Sequence, residues 1–172
     1  MKTDILYLVP DFFVTSGGIA RHSRLVSQAL YDVDYSLTIL ALHDPRDVDP
    51  QQAVTLPDIG YHACQNSRSR FIAQAFWLVL QRRPQLILVA HPHFAGLGHA
   101  LQRLSGARMA VFIHGIEVWA PLPRSAQYGI LQADRVLAVS RFTARKAVEH
   151  NGLTPDRIRI LHNCLDPQVD LT

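Results

Sequence analysis

Two glycines, Gly17 and Gly18, separate an apolar, β-rich stretch, DILYLV (4–9), from a segment of helical spacing, IARHSRLVSQALY. A glycine pair at a helix start lets the backbone come very close to a bound group. The unpaired N–H groups and positive dipole end of such a helix favour an anion, phosphate above all. The same pair also serves as a plain tight connection, and the pattern alone leaves both readings open. Further polar residues recur directly after apolar runs. Asp11 and Ser16 follow the first run, with Arg21 one turn into the helix. His91 and His93 follow LILVA, and His114, Gly115 and Glu117 follow RMAVFI. Ser140 and Arg141 follow RVLAV, and His162 and Asn163 follow RIRIL.

Each residue type implies a chemistry and a plainer role. His114 suits a positioned hydrogen bond or acid–base work near neutral pH, or simply caps a strand end. Glu117 suits a substrate hydroxyl or amine, or water. Arg141 suits a phosphate at its helix start, where an unpartnered cation would oppose the dipole. Ser140 reads as a helix cap rather than a nucleophile. No Gly-x-Ser-x-Gly elbow is present, so a hydrolase triad is not supported. His91 and His93 flank a proline with no cysteine or acid beside them, which argues against zinc.

The elements that must position these residues follow from the apolar pattern. Strands are expected at Asp4–Val9, Tyr35–Leu42, Leu86–Ala90, Arg108–Ile113, Arg135–Val139 and Arg157–Leu161. Val54 to Cys64 alternates and reads as a short strand or hairpin, after a polar, proline-bearing loop from His43 to Gln52. The first helix carries Ile19, Val26, Ala29 and Leu30 as its apolar face. A second, Ser67–Arg83, presents Phe71, Ala75, Leu78 and Val79 between arginine-bearing ends and stops at Pro84. Further helices run to about Leu104, over Arg124–Gln132, and over RFTARKAVEH, closed by Asn151-Gly152. Strands and helices alternate, and short strands apolar on both faces imply a mostly parallel sheet. The fold class is therefore α/β, doubly wound, with ligands at the carboxyl ends of the strands.

Length and composition bound the rest. A chain of 172 residues fits one domain, and 48% hydrophobic with 18% charged residues suits a packed core. A net charge of +3 is too small to indicate nucleic acid. Cys64 and Cys164 fit no metal or redox spacing and read as reduced thiols in a cytoplasmic protein. No secretory signal opens the chain, and its longest apolar run, Phe71 to Leu80, is too short to span a bilayer. The helix SRSRFIAQAFWLVLQRR, basic at both ends with Trp77 between, could lie on an anionic membrane surface; packing on the sheet is the favoured reading.

Four stretches carry a resemblance to a known family: SGGIARHSRLVSQAL, LILVAHPH, VFIHGIE and ADRVLAVSRFTARKAVEHNGLTPDRIRILHNCLD. The sequence resembles, over essentially its whole length, the N-terminal domain of a GT-B glycosyltransferase of the large retaining group called family 4. The third position of the family's Asn-Gly-Val-Asp pattern is altered here, and Cys164 replaces its glycine in Asn163-Cys164-Leu165-Asp166. The resemblance implies transfer of a sugar from a UDP- or GDP-type nucleotide-sugar to an acceptor hydroxyl with retention, without metal or separate cofactor. Gly17 and Gly18 match the loop that faces the donor diphosphate. His114 matches the histidine that contacts the transferred sugar. Arg21, His91, His93, Glu117 and Arg141 fall on the acceptor side, with Glu117 where some members keep an acidic acceptor ligand. The acceptor would be a sugar, a lipid-linked molecule or a small molecule, with peripheral contact at the inner face of the membrane. Residues 1–172 are then expected to be one Rossmann-like, acceptor-side domain, with the donor-binding C-terminal domain outside this sequence.

Two other classes compete. A nicotinamide oxidoreductase needs Gly-x-Gly-x-x-Gly after the first strand and an acid ending the second. Asp44 stands near that acid's place, but the loop reads Ser-Gly-Gly-Ile-Ala-Arg. A non-catalytic module that binds acceptor and pairs with a separate donor-binding chain is the third reading.

Overall fold

The computed structural model describes residues 2–13, 17–45 and 59–163. Seven strands form one sheet: β1 (Asp4–Val9), β2 (Ser36–Ala41), β3 (Gly60–Ala63), β4 (Leu86–Val89), β5 (Arg108–Ile113), β6 (Arg135–Ala138) and β7 (Ile158–Ile160). Their order is β3-β2-β1-β4-β5-β6-β7, and each neighbouring pair is parallel. The order reverses between β1 and β4, and the crevice at such a reversal is where open α/β sheets take ligands.

Among the described residues, five helices link the strands: α1 (Gly18–Asp32), α2 (Arg68–Arg82), α3 (Ala95–Ser105), α4 (Arg124–Leu131) and α5 (Arg141–Asn151). Alternation along each strand divides the core into two layers. Leu6, Leu8, Leu40, Ile87, Val89, Val111, Ile113 and Val136 meet α2 to α5 on one face. Ile5, Tyr7, Val9, Ile39, Leu88 and Phe112 meet Phe12 and α1 on the other. Both faces of the central strands are thus dry, as a parallel sheet requires, while the edge strand β7 exposes Arg159 and Ile160.

Local signals explain where the helices start and stop. The Ser67 hydroxyl accepts from the Arg70 N–H and caps α2, and the Ser140 hydroxyl accepts from the Thr143 N–H and caps α5. Gly106 and Gly152 close α3 and α5 with φ of 71° and 70°, the left-handed geometry that glycine adopts at no steric cost.

The expected strand or hairpin from Val54 to Cys64 is a single parallel strand, Gly60–Ala63, on the edge beside β2; its earlier part, and most of the loop before it, lie outside the described residues. The face expected for α2 is the one it buries: Phe71, Ala75, Leu78 and Val79. In α1 the arc against the sheet differs from expectation. Its deepest residues are Ala20, His22, Ser23 and Ser27, while Val26 and Leu30 are partly buried and Ala29 is exposed. The reason is the surface it meets. Tyr7 is fully buried beneath it and needs a hydroxyl partner, which Ser23 supplies at 3.3 Å.

Candidate functional site

The rim at the carboxyl ends of the strands is built from three connected loops. The first follows β1. Asp44, buried just beyond β2, accepts hydrogen bonds from the Phe12 N–H at 3.1 Å, the Phe13 N–H at 2.8 Å and the Tyr61 hydroxyl at 2.7 Å. The Arg24 guanidinium, from α1, donates to the Phe12 carbonyl. These bonds fix the backbone at Phe12 and Phe13. They also occupy the Asp44 carboxylate with protein groups, so it is not the ribose ligand that a nicotinamide site would need.

Gly17 is the N-cap of α1, with no side chain to accept the first-turn N–H groups, and no acidic residue lies in that turn. Gly18 is exposed, and a Cβ added to it would meet nothing within 4 Å. Its φ is not among the positive ones of the described residues. Among the described residues, neither packing nor backbone geometry therefore requires glycine there, and no side chain covers the helix start. Arg21 is exposed one turn further on.

The second loop follows β4. Pro92 starts a 3-10 turn, Pro92–Phe94, and the His93 N–H donates to His91 Nδ1 at 3.3 Å. The His91 and His93 rings meet edge to face at 4.7 Å. Burial pushes the His91 pKa down to about 4, with His93 and His114 adding to the effect and Glu117 opposing it. His91 is therefore a neutral ring at pH 7, while the His93 residue is exposed.

The third loop follows β5. His114 Nε2 donates to the Ala90 carbonyl at 2.9 Å, at the end of the neighbouring strand. That partner places the proton on Nε2 and leaves Nδ1 as the acceptor of the neutral ring. Burial lowers the His114 pKa, against the pull of the Ala90 carbonyl and Glu117. The His114 N–H donates to Glu117 Oε1, and so does the Gly115 N–H at 3.0 Å. One carboxylate oxygen thus folds the loop into the 3-10 turn Ile116–Val118. Asn151, buried at the end of α5, then holds the segment beyond it. Its Oδ1 accepts from the Leu122 N–H at 2.7 Å, and its Nδ2 donates to the Val118 and Ala120 carbonyls at 3.0 and 3.2 Å.

His22, inside α1, joins that helix to the third loop. It is 6% exposed and meets His114 edge to face at 5.0 Å and Phe112 at 4.8 Å. Burial first, then His114, lowers its pKa to about 4. The structure thus gathers His91, His93, His114 and Glu117 with His22 around the end of β4 and β5. Arg141 opens α5 with an exposed side chain, beside the edge-to-face pair Trp119–Phe142. No group of three or more His, Cys, Asp or Glu among the described residues is placed to hold a metal ion.

Three site-building residues carry no motif that marks them. His22 sits inside a helical pattern, and Asp44 and Asn151 act on backbone groups about thirty residues away in sequence. Their partners are visible only once the chain is folded.

Among the described residues, the rim thus has an uncapped helix start on one side and the neutral imidazoles of His22, His91 and His114 on the other. Comparison with known proteins gives it a family. The model of Glycosyltransferase Family 4 matches residues 16–169. The chain belongs to glycosyltransferase family 4. The sequence matches no curated protein. Among solved structures, Anabaena Alr3699/HepE in complex with UDP is similar over 96% of this chain and 45% of its own, at 15% identity and a TM-score of 0.71. A glycosyltransferase from Rickettsia africae ESF-5 is similar over 94% and 43%, at 19% identity and a TM-score of 0.67. The lipopolysaccharide outer core galactosyltransferase WaaB, in its apo form, is similar over 94% and 46%, at 13% identity and 0.66. The chain therefore spans less than half the length of these structures, and its seven-stranded sheet is one Rossmann-like half of a GT-B fold.

Proposed function

We propose that this domain is the acceptor-side half of a retaining glycosyltransferase that moves a sugar from a UDP- or GDP-type nucleotide-sugar to an acceptor hydroxyl in glycan or glycolipid synthesis. The observation that carries the reading is the meeting of the uncapped helix α1 with the His114 loop, through the 5.0 Å contact between His22 and His114. A diphosphate at Gly17 and Gly18 would be held by first-turn N–H groups and the helix dipole. The HepE relative in complex with UDP supports a nucleotide diphosphate as the ligand.

In this reading the sugar lies between the diphosphate and His114, whose neutral ring accepts a hydrogen bond from a sugar hydroxyl through Nδ1. The bond from the anomeric carbon to the diphosphate oxygen breaks. The acceptor oxygen bonds to that carbon on the same face, and its proton passes to the departing phosphate. The protein stabilises the charge that grows on the diphosphate and supplies no covalent nucleophile. Arg21, His91, His93 and Arg141 line the acceptor side. Glu117 acts there as well, while its Oε1 holds the His114 loop in shape. The nucleotide-sugar is the co-substrate, with no separate cofactor or metal. The donor-binding half, which the other part of a GT-B enzyme supplies, carries most of the nucleotide affinity.

The test is nucleoside diphosphate release by the full-length enzyme with a panel of nucleotide-sugars and sugar or lipid-linked acceptors. Acceptor-dependent release that falls at least about tenfold in His114→Ala supports the assignment. Equal turnover in that variant, or no acceptor-dependent release from any nucleotide-sugar of the panel, overturns it.

A further inference from the structure

Helix α2 has a second apolar face. Its inward side, Phe71, Ala75, Leu78 and Val79, closes the core. The outward side carries Ile72, Ala73, Trp77 and Leu80, while Phe76 at its flank is half-buried against the core. Ile72 is 46% exposed, Trp77 52% and Leu80 62%. Residues 71–81 hold no charge at all, and the helix holds no acid. A helix apolar all round is one whose outer face is covered in use.

The charges at its ends indicate what covers it. Arg68 and Arg70 stand in the first turn, and Arg82 and Arg83 stand at the last. Arg68, Arg82 and Arg83 are exposed. Arg70 is held by the chain itself, donating to Gln65 Oε1 at 2.7 Å. An apolar stripe with a half-exposed tryptophan, bracketed by arginines and free of acids, matches a surface that is apolar beneath and anionic on top. A soluble partner would need acidic groups only at the two ends of an uncharged face. Among the described residues, no helix is long and apolar enough to cross a membrane.

We infer that the outer face of α2 docks the domain on the headgroup region of an anionic lipid bilayer, with Ile72, Trp77 and Leu80 inserted at the acyl boundary and Arg68, Arg82 and Arg83 at the phosphates. Because α2 starts at the rim that carries the candidate site, next to the Cys64–Ser67 turn after β3, the cleft opens beside the bilayer. The inference does not depend on sugar transfer, and its failure leaves the proposed function standing.

The test is co-sedimentation of the full-length protein with vesicles of phosphatidylcholine alone or of equimolar phosphatidylcholine and phosphatidylglycerol. Binding only to the anionic vesicles, lost with added salt, is expected. Trp77→Gln with Leu80→Gln should weaken it at least about tenfold. Arg68→Gln with Arg82→Gln should weaken it several-fold. Quenching of tryptophan fluorescence by brominated lipid should disappear in Trp77→Phe. Unchanged thermal melting of the variants shows that the fold is intact. Absence of binding to anionic vesicles, binding that the Trp77/Leu80 variant retains, or a self-association that this variant abolishes without vesicle binding would each overturn the proposal.

Discussion

Helices α1 and α2 are each 15 residues long, flank the same parallel sheet and break the inside-out rule in opposite directions. α1 buries His22, Ser23 and Ser27, and leaves His22 Nδ1 and Ser27 Oγ buried without a hydrogen-bond partner. α2 buries only apolar side chains and exposes Ile72, Trp77 and Leu80. An unpaired buried hydroxyl costs stability, and an exposed tryptophan forgoes it. The helix with polar groups inside begins at the uncapped Gly17–Gly18 turn and touches His114. The helix with apolar groups outside has no part in the rim's histidine cluster. Departures from good packing thus sort by task, a site on one side of the sheet and a surface on the other.

The comparison can be broken most sharply at Gly18. Gly18→Leu in the full-length enzyme should lower turnover by about a hundredfold or more, by blocking the approach of the diphosphate to the helix start. Thermal melting should not change, because no described residue lies within 4 Å of that Cβ. Turnover at the wild-type rate would leave α1 with no functional reason for its uncapped start.

The next effect is on stability against pH. His22 and His91 titrate near 4 in the fold against 6.5 in an exposed ring. Between those values the unfolded chain binds more protons than the folded one, so stability rises with pH. It is fully present above about 6.5 and lost as pH falls toward 4. Melting followed by circular dichroism should drop across this window, and His22→Leu should flatten part of the drop. A wild-type melting temperature that stays level from neutral pH to the lower end of that window would contradict the burial of these rings.

Smaller effects separate the two helices. Ser27→Ala should be neutral or stabilise by up to about 1 kcal/mol, since it deletes an unpartnered buried hydroxyl. Urea titration measures this, and a clear loss would reveal a partner for the hydroxyl. Ile72→Gln should change stability by no more than about 0.5 kcal/mol, because the side chain faces solvent. A larger loss would place that face inside the packed structure.

Much of this architecture is legible in the sequence because runs such as LILV and RMAVFI are apolar on both faces, which only a covered parallel sheet explains. The caps at Ser67 and Ser140 and the stops at Gly106 and Gly152 are equally local, and so readable. The buried arc of α1 is not. Ser23 is inside because Tyr7 lies beneath it, and that pairing is set by the fold rather than by periodicity. The 3-10 turns at Pro92–Phe94 and Ile116–Val118 read as loops, since each is only three residues long and leaves no periodic pattern. The gathering of strand-end polar groups on one rim follows from alternation alone, whereas the contacts made by His22, Asp44 and Asn151 depend on distant backbone groups.

Asn151 has a practical consequence for anyone who would redesign this domain. Its three hydrogen bonds to the 118–122 segment make α5 and the loop after β5 a single mechanical unit, although they are distant in sequence. Grafting that loop from another family member while keeping the native α5 would leave the transplanted backbone without its clamp. The loop from His114 to Leu122 and the helix from Ser140 to Gly152 are therefore one exchangeable cassette, and a chimera that moves both should keep its register where a chimera that moves either alone would lose it.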